Sequence, residues 1–245
     1  GKEVVLSTLA LVMSEREIAQ LREISQMPDL LIEANDMSAF GLLSGRPHMI
    51  GPYINTYNES TLEYFASKGA RRMSSIAALG HARKSTEIEV QVFGRVPLAI
   101  SARCYSARAH GLHKDGCRYV CGDAPDGMDV ATLDATPFLA VNGLQTLSSH
   151  YIELSADVDH LKAAGVEVFR ISPHNLDMVQ IATLYRQLLD TKIDSHELRD
   201  TLHEMQSNLA FSDGFLHSLP GAARTTGRIT FAKTNNTPRP AIRHL

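Results

Sequence analysis

The sequence predicts an α/β fold, and two observations carry the prediction. Short β-branched and Leu-rich runs alternate with helical patterns in units of roughly thirty residues joined by short connections. Capping signals mark the helices: Ser14 is followed by Glu17, and Gly69 closes a helix that starts after Asn58 or Ser60. Such repeats favour a parallel sheet, closed as a barrel or open. We expect a partial TIM-like (β/α) barrel with a long cysteine-bearing loop.

The first half of the chain is predicted to hold five strands with helices or loops between them. These strands are expected at about 3–11, 30–34, 49–55, 71–76 and 87–93. After Phe93 the rhythm breaks, because Gly94 and Pro97 favour a turn before a short strand at 98–101. Residues 103–133 show neither helical nor strand periodicity, and a loop of that length in a compact domain is usually functional or disordered.

Regular structure is expected again after residue 137. The turn Asn142-Gly143 predicts a hairpin over 138–147. A helix at 156–164, a strand at 166–171 and helices at 177–190 and 196–206 are expected to follow. We predict one barrel-like domain over residues 1–221, lacking its opening units at the amino terminus, and a flexible basic tail over 222–245.

Composition excludes several classes of function. The chain has 245 residues, 44% hydrophobic content, a net charge of -3 and a pI near 6.4, so no global charge favours nucleic acid or an anionic membrane as a partner. No run of eighteen apolar residues predicts a transmembrane segment, and no secretion leader is recognisable. We therefore expect a cytoplasmic location.

The three cysteines of the chain fall in one predicted loop. Cys104, Cys117 and Cys121 are separated by twelve and then three residues. An odd number of thiols in a reducing compartment does not form a disulfide framework, so metal ligation is the better explanation. Basic residues flank the thiols and would favour thiolates and anionic ligands. These residues are Arg103, Arg108, Lys114 and Arg118.

The residues alone leave the identity of the metal open. An iron–sulfur cluster would have three cysteine ligands and a fourth position that is filled from elsewhere or left open to substrate. Zinc could instead bind a Cys3His set completed by His110 or His113. A third alternative is that the cysteines are free thiols in a loop.

Several segments resemble one known family. The run VPLAISARCYSARAHGLHKDGC and the segments VVLSTLALV, LIEANDMSA, INTYNESTL, FLAVNGLQTLS and VFRISPHN are similar to the collagenase-like peptidase family. Within it, they are most similar to the branch that acts in anaerobic ubiquinone biosynthesis. The resemblance spans about Lys2 to Gly221.

This resemblance implies a function. It implies a 4Fe-4S cluster with Cys104, Cys117 and Cys121 as the last three of four cysteine ligands, the first being expected upstream of Gly1. It also implies a heterodimer with the sister protein UbiU that hydroxylates a ubiquinone precursor without oxygen, the precursor arriving on a lipid-carrier protein.

Two other functions stay open at this point. One is a non-catalytic binding or scaffold subunit with a structural metal site. The other is a collagenase-like peptidase, although no nucleophile or metalloprotease signature surrounds Ser101, His110 and Asp115.

Polar residues that follow predicted strands are expected to line one rim of the sheet. They are Glu33, Asn35, Asp36, Asn55, Tyr57, Arg103, Ser172 and His174. Asn and Asp after a strand are more often helix caps or turn formers than ligands. His174 is expected to be a surface loop histidine, with a role as proton donor as the alternative.

Overall fold

The computed structural model describes residues 2–74, 86–113 and 116–225. Ten strands and seven α-helices lie within these ranges. The strands are β1 (Val5–Ser7), β2 (Leu31–Ala34), β3 (His48–Ile50), β4 (Ala70–Ser74), β5 (Glu87–Ile100), β6 (Met128–Ala131), β7 (Pro137–Asn142), β8 (Gln145–Glu153), β9 (Val166–Ile171) and β10 (Phe211–Ser212). The helices are α1 (Glu15–Ser25), α2 (Met37–Leu43), α3 (Glu59–Ser67), α4 (Tyr105–Ala109), α5 (Val158–Ala163), α6 (Met178–Leu189) and α7 (Ser195–Met205).

All ten strands belong to one curled sheet. Its main path runs in the order β1-β2-β3-β4-β5-β8-β7-β6, while β9 pairs with β5 and β10 pairs with β8. Strands β1 to β5 and β9 are parallel, as expected for strands that are linked through helices. Helices surround this curled half-barrel, which confirms the predicted α/β class and is consistent with a partial barrel. The TIM-like identity of the barrel stays a prediction, and the sheet is mixed, because β6, β7 and β8 pair antiparallel.

The helix starts follow the capping residues that the sequence shows. Ser14 and Glu17 form a reciprocal capping box at the start of α1, and Asn58 accepts the Thr61 N–H at the start of α3. Asp36 caps α2 in the same way. None of the helices in the described ranges is long and apolar enough to cross a bilayer.

The prediction of a turn at Gly94 and Pro97 is wrong. Strand β5 runs unbroken through both residues for 14 residues. Its first half pairs with β4 and β9, and its second half pairs antiparallel with β8 across register shifts on either side of Pro97. Proline is tolerated at such irregularities because it need not donate a ladder hydrogen bond there.

The predicted long loop contains more structure than its sequence pattern indicates. Helix α4, a 3-10 turn at Val120–Asp123 and strand β6 all fall within residues 103–133. The three elements are four or five residues long, which is too short for periodicity to reveal. The predicted hairpin around Asn142-Gly143 is confirmed as β7 and β8.

Strand β10 was not predicted, since two residues carry no pattern. The chain beyond it also differs from the expectation, because residues at the start of the predicted tail contact the domain. Arg224 binds Glu153, and both the backbone N–H and the hydroxyl of Thr225 donate to Asp213. The rest of the tail, 226–245, lies outside the described residues, so its flexibility and the division at residue 221 stay predictions.

The hydrophobic core lies between the curled sheet and the helices. Its largest fully buried side chains include Ile32, Leu43, Ile50, Met73, Phe93, Ile152, Leu161, Ile181, Leu198 and Leu202. Each side chain of this size contributes about 1.5–3 kcal/mol through burial. The core thus fixes the carboxyl ends of the parallel strands, where the candidate site is found.

Candidate functional site

A cavity of about 590 Å³ opens at the carboxyl ends of the parallel strands. Its floor is polar and comes from residues at the ends of β2, β5 and β9, including Glu33, Asn35, Gln91 and Arg170. One wall is apolar and comes from the β7–β8 hairpin, the end of β5 and the segment after β1. These wall residues are Leu9, Leu11, Ile100, Leu144 and Leu147. This combination of an apolar wall and a few convergent polar groups is typical of small-molecule sites.

A larger cavity of about 720 Å³ lies at the opposite end of the strands. The charged groups there pair with one another: Arg72 binds Glu87 at 2.6 Å and Glu3 at 3.4 Å. In barrel folds the amino-terminal end of the strands serves stability, and ligands bind at the carboxyl end. We therefore place the candidate site in the smaller cavity.

The floor of that cavity contains a buried network of three charged side chains. Arg170 donates to Glu33 and to Glu89, and its Nε lies 2.5 Å from the Glu89 carboxylate. The side chains of Glu33 and Glu89 are 3% and 6% exposed. Burial opposes the charge of Arg170, but the two carboxylates outweigh it and raise the pKa of the guanidinium above its ordinary value. The arginine is therefore charged.

Glu33 is held by two further hydrogen bonds. The Ser7 hydroxyl donates to its Oε1 at 2.8 Å, and the Asn35 amide donates to the same atom at 3.1 Å. The Asn35 backbone N–H in turn donates to the Thr8 hydroxyl at 3.0 Å. These contacts fix the ends of β1 and β2 at the cavity floor.

Tyr53 links this floor to the apolar wall. Its hydroxyl donates to the Gln145 side chain at 2.8 Å, so the loop after β3 contacts the start of β8. Burial raises the pKa of Tyr53, with Arg170 acting against that rise and Glu33 adding to it. The phenol is therefore neutral, and because its one proton is donated to Gln145, its oxygen is left as a hydrogen-bond acceptor.

His174 is a buried clamp, and the prediction of a surface loop histidine is wrong. Its side chain is 7% exposed. The Arg95 backbone N–H donates to Nε2 at 2.9 Å, and Nδ1 lies 3.3 Å from the Asp126 carboxylate. Burial lowers the pKa of His174, while Asp126 opposes this. With Nε2 already accepting a backbone hydrogen bond, the ring is poorly placed to act as a general base.

Gly94 makes the approach of His174 to the strand geometrically feasible. Its φ of +110° lies in the region that favours glycine. A Cβ atom at this position would lie 2.6 Å from the Ser172 Cβ and 2.8 Å from the His174 Nε2. The glycine thus lets β5 bend beneath the end of β9.

The cysteine segment passes beside the β7–β8 turn, and one of its three cysteines lines the cavity. Cys104 caps α4, where its sulfur accepts the Ala107 N–H at 3.3 Å. Cys121 lies in the 3-10 turn that contacts α4, and it lines the cavity. Cys117 is exposed, and its sulfur accepts the Tyr119 N–H at 3.4 Å. Backbone N–H groups that donate to sulfur are typical of cluster ligands and tune their potential.

The turn Asn142-Gly143 connects the elements that carry two of these cysteines. The Asn142 amide donates to the carbonyls of Ala124 and Pro125, just beyond Cys121. Gly143 accepts the Tyr105 N–H at 2.7 Å, next to Cys104. The hairpin therefore holds the segments on either side of the cysteine loop together.

The positions of the three sulfur atoms do not decide which metal or cluster they would hold. Among the described residues, the three sulfur atoms do not form a group in which all lie within 4.8 Å of one another. Four ligands about 2.3 Å from one zinc ion would place their sulfurs about 3.8 Å apart. A larger cluster carries its ligands farther apart. The assembly of the three thiols around one group stays a prediction.

The predicted rim residues divide into two sets. Glu33, Asn35, Ser172 and His174 line the cavity. Four others do not: Asp36 caps α2, Asn55 and the exposed Tyr57 bond to each other, and Arg103 is exposed. The interpretation of Asp36 as a helix cap is confirmed, whereas that of Asn35 is wrong.

Sequence reasoning missed the charged floor. Glu89, Arg95 and Arg170 have no predicted role in the sequence analysis, although charges within apolar strand runs such as EIEVQVF and VEVFRI are a usable signal. A buried charge requires a partner, so three such residues in neighbouring strands predict a network. The expectation of a mostly uncharged rim is accordingly wrong.

Comparison with known protein families shows which family the chain belongs to. The family model described as Peptidase family U32 matches residues 1–226. The chain belongs to peptidase family U32. The resemblance to the collagenase-like peptidases is thereby confirmed at the level of the family. No solved structure matches the chain.

The cavity of this U32 member offers little for peptide hydrolysis. Ser172 and Cys121 line it, but His174 is the only histidine among its lining residues. That histidine already accepts one hydrogen bond and lies against Asp126. A nucleophile needs an adjacent base to be activated. The Ser7 hydroxyl does donate to Glu33, but the oxygens of that carboxylate also bind Asn35 and Arg170.

Proposed function

We propose that this U32 protein is the iron–sulfur subunit of an oxygen-independent hydroxylation system in ubiquinone biosynthesis, of the UbiV type. In this proposal Cys104, Cys117 and Cys121 hold a 4Fe-4S cluster, with a fourth ligand from outside this sequence. UbiU is the partner subunit. The cluster supplies the electron chemistry, and the protein supplies the ligands and the adjoining cavity.

The observation that carries the proposal is the position of Cys121. This cysteine belongs to the predicted ligand set and lines the cavity at the carboxyl ends of the strands. A cluster bound at the cysteine loop would therefore border a site able to receive a small organic molecule. The N–H groups that donate to Cys104 and Cys117 support the same assignment.

The cavity suits the aromatic head of a ubiquinone precursor. Its apolar wall can pack against a ring, the charged Arg170 in the floor can donate to a ring oxygen, and the Tyr53 oxygen can accept from a ring hydroxyl. In the proposal, these residues orient the ring and the apolar wall excludes water.

The proposed partnership is supported by apolar surface on the outer helices. Met37 and Leu42 on α2 are 55% and 43% exposed, and Tyr64 on α3 is 50% exposed. Obligate interfaces are richer in apolar area than ordinary surface. We expect this face to contribute to the heterodimer.

A complementation experiment tests the proposed function. Bacteria that lack their own copy of this protein, but retain the UbiU partner, would be grown without oxygen, and their ubiquinone measured. A protein that carries this chain together with the fourth cysteine ligand of the proposal should restore ubiquinone. Cys117→Ser in that protein should abolish the restoration, and the exposed Ser60→Ala on α3 should behave as the parent. Unchanged ubiquinone with Cys117→Ser, or hydrolysis of peptides by the chain alone, would contradict the proposal.

A further inference from the structure

Three metal-ligating side chains meet far from the cavity just described. Asp157 precedes α5, Asp213 follows β10, and His217 lies four residues further on. One ligand atom from each lies within 4.8 Å of the other two, and His217 Nε2 lies 3.6 Å from the Asp157 carboxylate. None of the three lines the cavity at the carboxyl ends of the strands.

The three side chains of this group are buried, so polar atoms among them cannot be satisfied by bulk water. Asp157 and Asp213 are 2% and 4% exposed, and the His217 side chain is 7% exposed. His217 Nε2 is buried without a hydrogen-bond partner among the described residues. An unpaired buried nitrogen is costly unless something binds it, so the open lone pair indicates an absent partner.

The charges around the group favour a cation. The nearby arginines are engaged elsewhere, because Arg199 and Arg224 both pair with Glu153. Two carboxylates and a neutral imidazole carry a charge of about -2, which one divalent ion neutralises.

Hydrogen bonds from Thr225 hold the Asp213 carboxylate in a fixed orientation. The Thr225 backbone N–H donates to one oxygen of Asp213 at 2.7 Å, and the Thr225 hydroxyl donates to the other at 3.0 Å. Hydrogen bonds of this kind orient the carboxylates that ligate metals. Since each carboxylate oxygen has more than one lone pair, Asp213 keeps the capacity to bind an ion.

We propose that Asp157, Asp213 and His217 bind one divalent transition-metal ion that accepts mixed nitrogen and oxygen ligands, such as Zn²⁺ or Mn²⁺. The ion ties the segment after β10 to the start of α5, two parts of the chain that lie more than fifty residues apart. Its role is structural, because the ligands are buried and separate from the cavity.

The main alternative explanation is an ion pair between His217 and the carboxylates, with no metal ion bound. A protonated His217 could pair with the two carboxylates without any metal. The two explanations differ in one measurable property, since only a metal site binds Mn²⁺ or Zn²⁺ saturably with one ion per chain.

The test uses the chain with all three cysteines replaced by serine, so that thiols do not compete for metal. After treatment with a chelator, the protein is titrated with Mn²⁺ by electron paramagnetic resonance and with Zn²⁺ by calorimetry. We expect one ion per chain, and a rise in Tm of about 5–10 °C at a hundredfold excess over Kd. Because this protein has no cysteine, the result is independent of the proposed iron–sulfur function.

Variants then locate the ion. In the same background, Asp213→Asn should reduce affinity at least tenfold, whereas Asp159→Asn should leave it unchanged, since that aspartate lies on α5 with its side chain 95% exposed. If Asp213→Asn fails to fold, His217→Gln replaces it. The proposal is overturned if neither ion binds with one site per chain, or if binding survives the folded variant.

Discussion

The charged floor of the cavity and the cysteine segment at its rim satisfy their polar groups in different ways. On the floor, Glu33, Glu89 and Arg170 bind one another and need no external partner. At the rim, the sulfurs of Cys104 and Cys117 receive single N–H groups, and Cys117 is exposed. The charges of the floor are therefore paired within the chain, whereas the cysteine segment offers donor atoms to a ligand. Stability should depend on the first region and metal content on the second.

Removal of the arginine from the floor is the largest change expected. Arg170→Met leaves two buried carboxylates without a counter-charge, which should lower the free energy of unfolding by about 3–5 kcal/mol. Arg186→Met on α6 is the matched control, because that arginine is 67% exposed and its ion pair with Asp190 is worth at most about 1 kcal/mol. Urea unfolding followed by circular dichroism measures both. Similar losses in the two variants would show that the floor does not stabilise the fold.

The bend in β5 should give the next largest effect. Gly94→Ala forces a side chain into a φ of +110° and into contact with Ser172 and His174, so we expect a loss of about 2–4 kcal/mol. Gly41→Ala in α2 is a control, since nothing lies within 4 Å of its added Cβ and the helix should gain about 0.4–1 kcal/mol. The same unfolding measurement applies. A Gly94→Ala protein as stable as Gly41→Ala would exclude the bend as a constraint.

The His174 clamp should produce a smaller, pH-dependent effect. Its folded pKa lies below the unfolded value, so the unfolded chain binds more protons as pH falls through that unfolded value of about 6.5. Its contribution to stability is therefore present above pH 6.5 and is lost as pH falls towards the folded pKa. His174→Gln should flatten the dependence of unfolding free energy on pH between pH 7.5 and 5.5. An exposed control, His196→Gln, should keep the parental slope, and equal slopes for His174→Gln and the parent would refute the interpretation.

The parts that local signals determine could be predicted from the sequence. Capping residues such as Ser14 and Asn58 and the turn at Asn142-Gly143 act over a few positions, so their structures followed directly. The continuity of β5 could not be predicted, because it depends on pairing with β8, some fifty residues away. The turn preferences of Gly94 and Pro97 predicted a turn, but the hydrogen bonds between β5 and β8 keep the strand continuous.

The same limit applies to the sites. The cysteines were recognisable because they lie close together along the chain. Arg170 meets Glu89 because β9 pairs with β5, and it meets Glu33 although β2 pairs with neither of these strands. Asp157 meets Asp213 and His217 only after β10 pairs with β8. Such groups depend on which strands pair and in which register, and a single sequence does not reveal that pairing.

Iron and acid-labile sulfide in anaerobically isolated protein test the central claim most directly. The parent, produced together with the fourth cysteine ligand of the proposal, should contain iron and sulfide in equal amounts, with visible absorption that dithionite bleaches. Cys104→Ser should lose most of both while it keeps the parental stability, because serine also caps α4, whereas Cys104→Ala should additionally lose about 1 kcal/mol. Colourless parent protein, or unchanged iron in the serine variants at all three cysteines, would contradict the account.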